Sequence, residues 1–238
     1  MIIEFLKSCE EIGHRAKTII IEDLLQNESL LLCAATGSSP TKTYELLAGE
    51  STVNPKPFSR LRIIKLDEWG GIPMTDPGSC EYYLQQHLVR PLAITDERYF
   101  SFQSDTGNPE RETHRIQQIL EKQGPIDICI LGIGVNGHIA LNEPATFLRP
   151  HCHVATLADT SLQHPMISGK SEKPQYGLTL GIADILQSKK IILLINGVKK
   201  KEITQTFLSA RISTEIPASF LWLHPNVICL VDKEAAGN

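Results

Sequence analysis

Apolar runs recur along this chain at Leu30–Ala35, Leu61–Leu66, Ile126–Leu131, Ile191–Ile195 and Val227–Val231. The run at Ile126–Leu131 is too short for a helix and lacks the alternation of a half-wet strand, so it reads as a strand buried on both faces. Between the runs lie mixed polar and apolar segments of helical length, roughly Cys9–Leu25, Pro40–Leu47, Cys80–Leu88, Glu110–Lys122 and Lys199–Ala210. Strands alternating with such helices predict a single α/β domain over residues 1–238, with a mostly parallel Rossmann-like sheet and helices on both faces. The segment Asn54-Pro-Lys-Pro reads as a loop, and His164–Gln175, with two prolines and a glycine, as a mobile loop or lid.

The chemistry is expected where strands end in small polar residues, because open α/β sheets place ligands at the carboxyl ends of their strands. After Ile126–Leu131 come Gly132, Gly134 and Gly137, which allow tight turns, and then His138 and Glu143, with Asn136 and Asn142 nearby. A carboxylate that orients one ring nitrogen leaves the other free to move protons near neutral pH; the alternative is a purely structural histidine. After Leu30–Ala35 comes Thr36-Gly-Ser-Ser-Pro-Thr41, with a proline near the first helical position. Gly37 would let the main chain approach a phosphate, and Ser38, Ser39 and Thr41 could donate to it. A plain capped helix start, with Ser38 or Ser39 as N-cap, explains the same residues equally well.

Asp67 and Glu68 follow the Leu61–Leu66 run. A carboxylate partly desolvated at a strand end is a candidate proton-transfer base, against solvated loop acids, a helix cap or an ion pair with Lys65. The turn Asn196-Gly197 leads into Lys199, Lys200 and Lys201. One lysine suits a phosphate, and at least two are expected to face solvent. His151 and His153 receive no role. Nucleotide P-loop and G-x-S-x-G patterns are absent, as is any ligand spacing for a metal.

A net charge of −4 argues against a general nucleic-acid binder. The six cysteines show no C-x-x-C pair, which points to free thiols in a reducing cytoplasm. Neither a membrane-spanning apolar stretch nor a secretory leader pattern occurs.

Together, Ala35-Thr-Gly-Ser-Ser-Pro-Thr, Leu66-Asp-Glu-Trp, Gly134-x-Asn-Gly-His-Ile-Ala-Leu-Asn-Glu-Pro, Gly177-Leu-Thr-Leu-Gly and Asn196-Gly-x-x-Lys200 resemble the glucosamine-6-phosphate deaminase/isomerase family. The chain looks most similar to the galactosamine-6-phosphate branch, through Lys65-Leu-Asp-Glu-Trp, Pro77-Gly-Ser-Cys-Glu, Leu84-Gln-Gln-His-Leu-Val-Arg-Pro-Leu, Asn136-Gly-His and Ile216-Pro-Ala-Ser-Phe-Leu-Trp-Leu-His224. The resemblance implies a hydrolase and isomerase that turns galactosamine 6-phosphate into tagatose 6-phosphate and ammonia. Asp67 would be the base at C2, and His138, Glu143 and Asn136 would serve ring opening. Thr36, Gly37, Ser38, Ser39, Thr41 and Lys200 would hold the phosphate. No metal and no cofactor is implied; the partner is a sugar phosphate, with homo-oligomerisation left open.

Two positions depart from the glucosamine-type pattern. Asn136 stands where those enzymes carry an aspartate, so the relay to His138 rests on Glu143. The segment Asp159–His164 lacks their phosphate-binding arginine, which shifts weight onto Lys200. The rivals are glucosamine 6-phosphate as substrate, a 6-phosphogluconolactonase, whose histidine loop lacks the Asn-Glu-Pro ending, and a sugar-phosphate sensor, which would not need Asp67, His138 and Glu143 together. The short carboxyl end implies no regulation by an N-acetyl sugar phosphate.

Overall fold

In the computed structural model, which describes residues 1–169 and 173–237, the chain alternates strands and helices almost throughout. The elements are β1 (Ile2–Leu6), α1 (Cys9–Gln26), β2 (Leu31–Ala34), α2 (Ser38–Val53), β3 (Arg62–Lys65), β4 (Asp67–Gly70), α3 (Cys80–Leu84), β5 (Tyr99–Phe100), α4 (Pro109–Gln123), β6 (Ile128–Gly132), β7 (His153–Ala155), α5 (Asp159–Leu162), β8 (Tyr176–Thr179), α6 (Ile182–Leu186), β9 (Lys190–Ile195), α7 (Lys201–Leu208), β10 (Val227–Asp232) and α8 (Lys233–Ala236).

A seven-stranded sheet in the order β1-β10-β9-β6-β2-β3-β5 forms the centre, and every pairing in it is parallel. Its central strands β2 and β6 are apolar throughout, and β9 and β10 nearly so, because both faces are covered there. On one face Leu32, Ala34, Ile128, Ile130, Ile192 and Leu194 pack with Ile12, Ala16, Ile20 and Leu47 of α1 and α2. On the other, Leu31, Cys33, Cys129, Leu131, Ile191 and Leu193 meet Ile116 of α4 and Phe207 of α7. The mostly parallel α/β sheet with helices on both faces is therefore present as its patterning implied.

Local chemistry sets the helix ends. Ser8 caps α1 by accepting from the N–H of Glu11, and Asn108 caps α4 by accepting from that of Arg111, with Pro109 at the first turn. Helix α2 begins earlier and runs further than its apolar spacing indicates, from Ser38 until Asn54-Pro55 stops it. Its N-cap is Gly37, at φ 99°, which corrects the expectation of a serine cap. The segment read as one helix over Cys80–Leu88 passes from α3 into a π-helical turn at Gln85–Val89, and α7 is shorter than expected, following a 3₁₀ turn at Val198–Lys200.

Two features of the sheet structure have no counterpart in the apolar runs. Strand β1 adds to the edge of the large sheet through pairing with β10, so the first strand starts well before Leu30. A second, antiparallel sheet, β4-β8-β7, begins at Asp67. The expected lid at His164–Gln175 includes residues 170–172, which lie outside the described residues; within it, Ile167 is fully buried in a cluster with Trp69, Ile72, Cys80 and Leu141. Among the described residues no helix is long and apolar enough to cross a membrane.

Leu193 is fully buried at the centre of the sheet, with β6 and β10 on either side. Leu193→Ala should lower unfolding free energy by about 2–5 kcal/mol, read from a shifted denaturant midpoint at unchanged slope.

Candidate active site

Strand order decides where the loops meet. From β2 the chain adds strands in one direction, to β3 and β5, whereas β6, β9 and β10 grow the other way. The loops after β2 and β6 thus leave the sheet at its switch point, the place where such sheets open a crevice. The loop after β2 is Ala35–Gly37, leading into α2, and the loop after β6 carries Gly134 to Glu143.

The α2 start sorts the expected phosphate residues into two groups. Thr36 donates to the Cys80 thiol at 3.3 Å, and Thr41 donates to the Gly37 carbonyl at 2.9 Å while sharing a 2.7 Å hydrogen bond with the Tyr83 hydroxyl. Both threonines are thus occupied by the protein itself, against the expectation that Thr41 would reach a ligand. Ser38 is exposed and Ser39 half-buried at the first turn, and Ser39 lies beside the end of β6: a Cβ built on Gly132 would sit 3.7 Å from its hydroxyl oxygen. Gly37, at a positive φ, is the N-cap of α2, and no side chain caps the first amides of the helix.

Lys200 comes from the turn after β9, where Gly197 at φ 87° is held by hydrogen bonds from its N–H to Asp232. Its ammonium donates to the Ile133 carbonyl at 2.6 Å, just beyond β6, and burial moves its pKa below the ordinary lysine value. Two of its protons remain for a ligand. Lys199 and Lys201 are exposed, as expected of a solvated face.

The two acids after β3 have unlike fates. Glu68 accepts from Lys65 Nζ at 2.7 Å and from the backbone N–H groups of Trp69, Cys80 and Glu81 at 2.8–2.9 Å. Lys65 also bonds Glu81 at 2.9 Å, completing a buried cluster. The ion pair with Lys65 thus exists, but to Glu68 and Glu81. Asp67, 8% exposed, has the Cys80 thiol at 3.9 Å. Burial pushes its carboxyl up to about 7, and the Glu68 charge adds to this; Lys65 and the Cys80 contact pull the other way. A carboxylate with that pKa is poised for proton transfer near neutral pH.

The histidine loop is built around a close approach. A Cβ on Gly134 would lie 2.3 Å from the His138 ring, so glycine is required there. The Gly134 N–H donates to the His138 carbonyl at 2.8 Å, closing the loop on itself. His138 Nδ1 lies 3.3 Å from Glu143 Oε2. Glu143 also accepts from Asn136 Nδ2 at 2.9 Å and from the Ser161 hydroxyl. Burial alone would raise the Glu143 carboxyl, yet His138, Ser161 and Asn136 hold it down at about 2. Asn136 further bonds Thr160 at 3.0 Å and accepts from the His138 N–H at 3.2 Å. With Glu143 on Nδ1, His138 keeps Nε2 for a reacting group.

Shared neighbours draw the loops together. Cys80 touches both Thr36 and Asp67. Thr179 pairs in register with Asp67, and its hydroxyl accepts from the Leu141 N–H of the histidine loop. Cys80, Thr160, Ser161 and Thr179 lie within segments named from the sequence, yet their roles are not legible there, because they act through contacts between distant segments. Asn142 is structural, donating to the Ile139 and Leu180 carbonyls.

A buried carboxyl with a raised pKa, an imidazole–carboxylate pair and an uncapped helix start beside a lysine define the class: an α/β protein whose strand-end loops gather groups suited to proton transfer. Residues 7–229 match the family described as glucosamine-6-phosphate isomerases/6-phosphogluconolactonase. The chain is 40% identical to AgaI of Escherichia coli (strain K12), provisionally named a deaminase, over 93% of this chain and 88% of that protein. It is 34% identical to glucosamine-6-phosphate deaminase 1 of Bacillus subtilis (strain 168), over 95% of each. A solved structure of a monomeric glucosamine-6-phosphate deaminase superposes with a TM-score of 0.93 at 33% identity, covering 100% of this chain and 99% of that one. The chain belongs to the glucosamine-6-phosphate isomerase/6-phosphogluconolactonase family. One expectation is corrected: the hydrolase class is dropped, because these relatives are named as deaminases and isomerases.

Asp67 also leaves a signature in stability. Folded Asp67 keeps its proton up to about pH 7, whereas an ordinary aspartate releases it near 3.8. Between those limits the native state binds more protons, so this group's contribution is lost as pH rises. Asp67→Asn should therefore melt above the parent protein at pH 8, with the difference vanishing toward pH 4, in paired thermal scans.

Proposed function

We propose that the protein is an amino-sugar 6-phosphate deaminase/isomerase whose substrate is galactosamine 6-phosphate. The observation that carries this reading is the division of labour between neighbouring acids. Glu68 is bound on every side while Asp67 stays protonatable, in the crevice that also receives the His138–Glu143 pair. The phosphate would sit at the α2 start, against the amides after Gly37, the Ser38 and Ser39 hydroxyls and Lys200. Thr36 and Thr41 hold that turn in shape.

The chemistry then needs only protons and water. His138 exchanges the proton that opens the pyranose to the free aldehyde. Asp67 takes the C2 proton and returns it to C1 while one proton of the C2 ammonium passes to O1, leaving an iminium at C2. Water adds there, and ammonia leaves the resulting carbinolamine, giving tagatose 6-phosphate. Glu143 supports the imidazolium formed on His138, and Asn136 fixes Glu143. No metal or organic cofactor enters these steps. The choice of the galacto sugar rests on the branch motifs, Asn136-Gly-His among them. The second reading, glucosamine 6-phosphate giving fructose 6-phosphate, is favoured by the names of the Bacillus subtilis relative and the monomeric structure. A cytoplasmic setting belongs to the same proposal, supported by six free cysteines.

Ammonia release from the two hexosamine 6-phosphates is the direct test: faster turnover of the galacto sugar is expected, faster turnover of the gluco sugar selects the second reading, and none from either ends the deaminase assignment. For the preferred sugar, kcat/KM should climb with pH through an ascending limb near 7 as Asp67 ionises. Asp67→Asn should lose C2 proton exchange in deuterated water while still binding substrate. Lys200→Ala should act mainly on KM, through loss of a charge-assisted contact of about 1.5–3 kcal/mol; an unaltered KM moves the phosphate elsewhere.

A further inference from the structure

The missing arginine of the Asp159–His164 segment leaves the phosphate site with a single lysine, and the fold places another donor there. His164 follows α5 in a turn tied down by hydrogen bonds: its N–H donates to Ser161 at 3.0 Å, and its carbonyl accepts from Ile167 and Ser168 at 2.9 and 2.8 Å. The turn is anchored by Ile167, fully buried against Trp69 and Leu141. The imidazole leans on the Trp69 indole, with ring centroids 5.9 Å apart. It also overhangs the α2 start, since a Cβ built on Gly37 would lie 3.5 Å from His164 Nε2 and 3.7 Å from Cε1.

The tautomer follows from the other nitrogen. Nδ1 accepts the Met166 backbone N–H at 3.3 Å, so the ring proton sits on Nε2, the atom that faces Gly37. Among the described residues, no protein group accepts from Nε2. The charged groups acting on the ring are cationic: burial first, then His138 and Lys200, push its pKa down to about 4. Two cation-forming side chains, His138 and Lys200, thus act on a ring that overhangs the uncapped start of a sixteen-residue helix. Such a set is matched by a phosphate dianion, which can accept from the helix amides, the Lys200 ammonium and the neutral ring's N–H together.

We propose that His164 contacts the substrate directly, its Nε2–H donating to a phosphoryl oxygen held at the start of α2. The inference rests on the sugar-phosphate reading and adds to it the residue that stands in for the absent arginine. It also accounts for Gly37: any side chain there would fill the space between the helix amides and the ring.

Amide substitutions separate this role from a structural one, because asparagine reproduces the Nδ1 position and glutamine the Nε2 position. His164→Asn keeps the contact with Met166 and loses the donor. It should raise KM, and the inhibition constant of inorganic phosphate, about tenfold or more. Its kcat should stay within a factor of about two. His164→Gln should recover most of both constants. In the unsubstituted protein, inorganic phosphate should shift the His164 ring nitrogen resonances, assigned by their loss in His164→Gln. Unshifted resonances, an Asn variant with parental constants, or rescue by Asn and not by Gln would each overturn the role of His164, while ammonia release by the parent protein leaves the deaminase reading standing. A parent protein that neither releases ammonia nor responds to phosphate overturns both.

Discussion

The buried ion cluster of Lys65, Glu68 and Glu81 is the constraint on which the site depends. A lysine with no exposed surface is tolerated inside a protein because it is paired and hydrogen-bonded. Glu68 does more than neutralise it. Its carboxylate also receives the N–H groups of Cys80 and Glu81, the first residues of α3, and so clamps that helix to the end of β3. Cys80, positioned by this clamp, touches Thr36 on one side and Asp67 on the other. The cluster engages the Lys65 ammonium and leaves Asp67 with burial and a negative neighbour, the two influences that raise a carboxyl pKa. The pairing that satisfies the buried lysine thereby leaves its neighbour with a raised pKa.

At the other end of the crevice the logic is reversed. Glu143 is surrounded by donors and held at about 2, so it remains an anion across the physiological range. Its donors come from Asn136, seven residues upstream, and from Ser161 on α5, so the His138 ring is steadied by two separate segments. One carboxyl poised to change its charge and another kept from doing so are the two acids that the proposed mechanism uses as base and orienting group. Lys200, brought in from the turn after β9, supplies a cation on that side, and His164, whose pKa is pushed down to about 4, adds a neutral N–H donor.

Much of this was legible in the amino-acid sequence. Continuous apolar runs mark the buried parallel strands because both faces of such strands need apolar side chains. Glycines at 134 and 137 mark the histidine loop because the backbone there comes too close to other groups to carry a side chain. Strand β1, half-exposed at the sheet edge, and the short antiparallel strands β4, β7 and β8 escaped notice because their residues do not form apolar runs and their pairing is long-range. The fate of the individual acids and hydroxyls was likewise illegible. Asp67 and Glu68 are adjacent and chemically alike, yet their environments are set by Lys65, Cys80 and Glu81. Thr41 and Ser39 share one turn, but Tyr83, more than forty positions away along the chain, claims Thr41.

By itself, then, the sequence determined the α/β architecture, the family and the loops in which the chemistry lies, since these follow from patterning and from short motifs whose residues act within a few positions of one another. Tertiary structure decided which of two acids remains available, which hydroxyls are already committed, and that His164 stands over Gly37. Those outcomes depend on burial and on partners from distant segments, and the free energy of a charge or a hydrogen bond is set by what surrounds it in space.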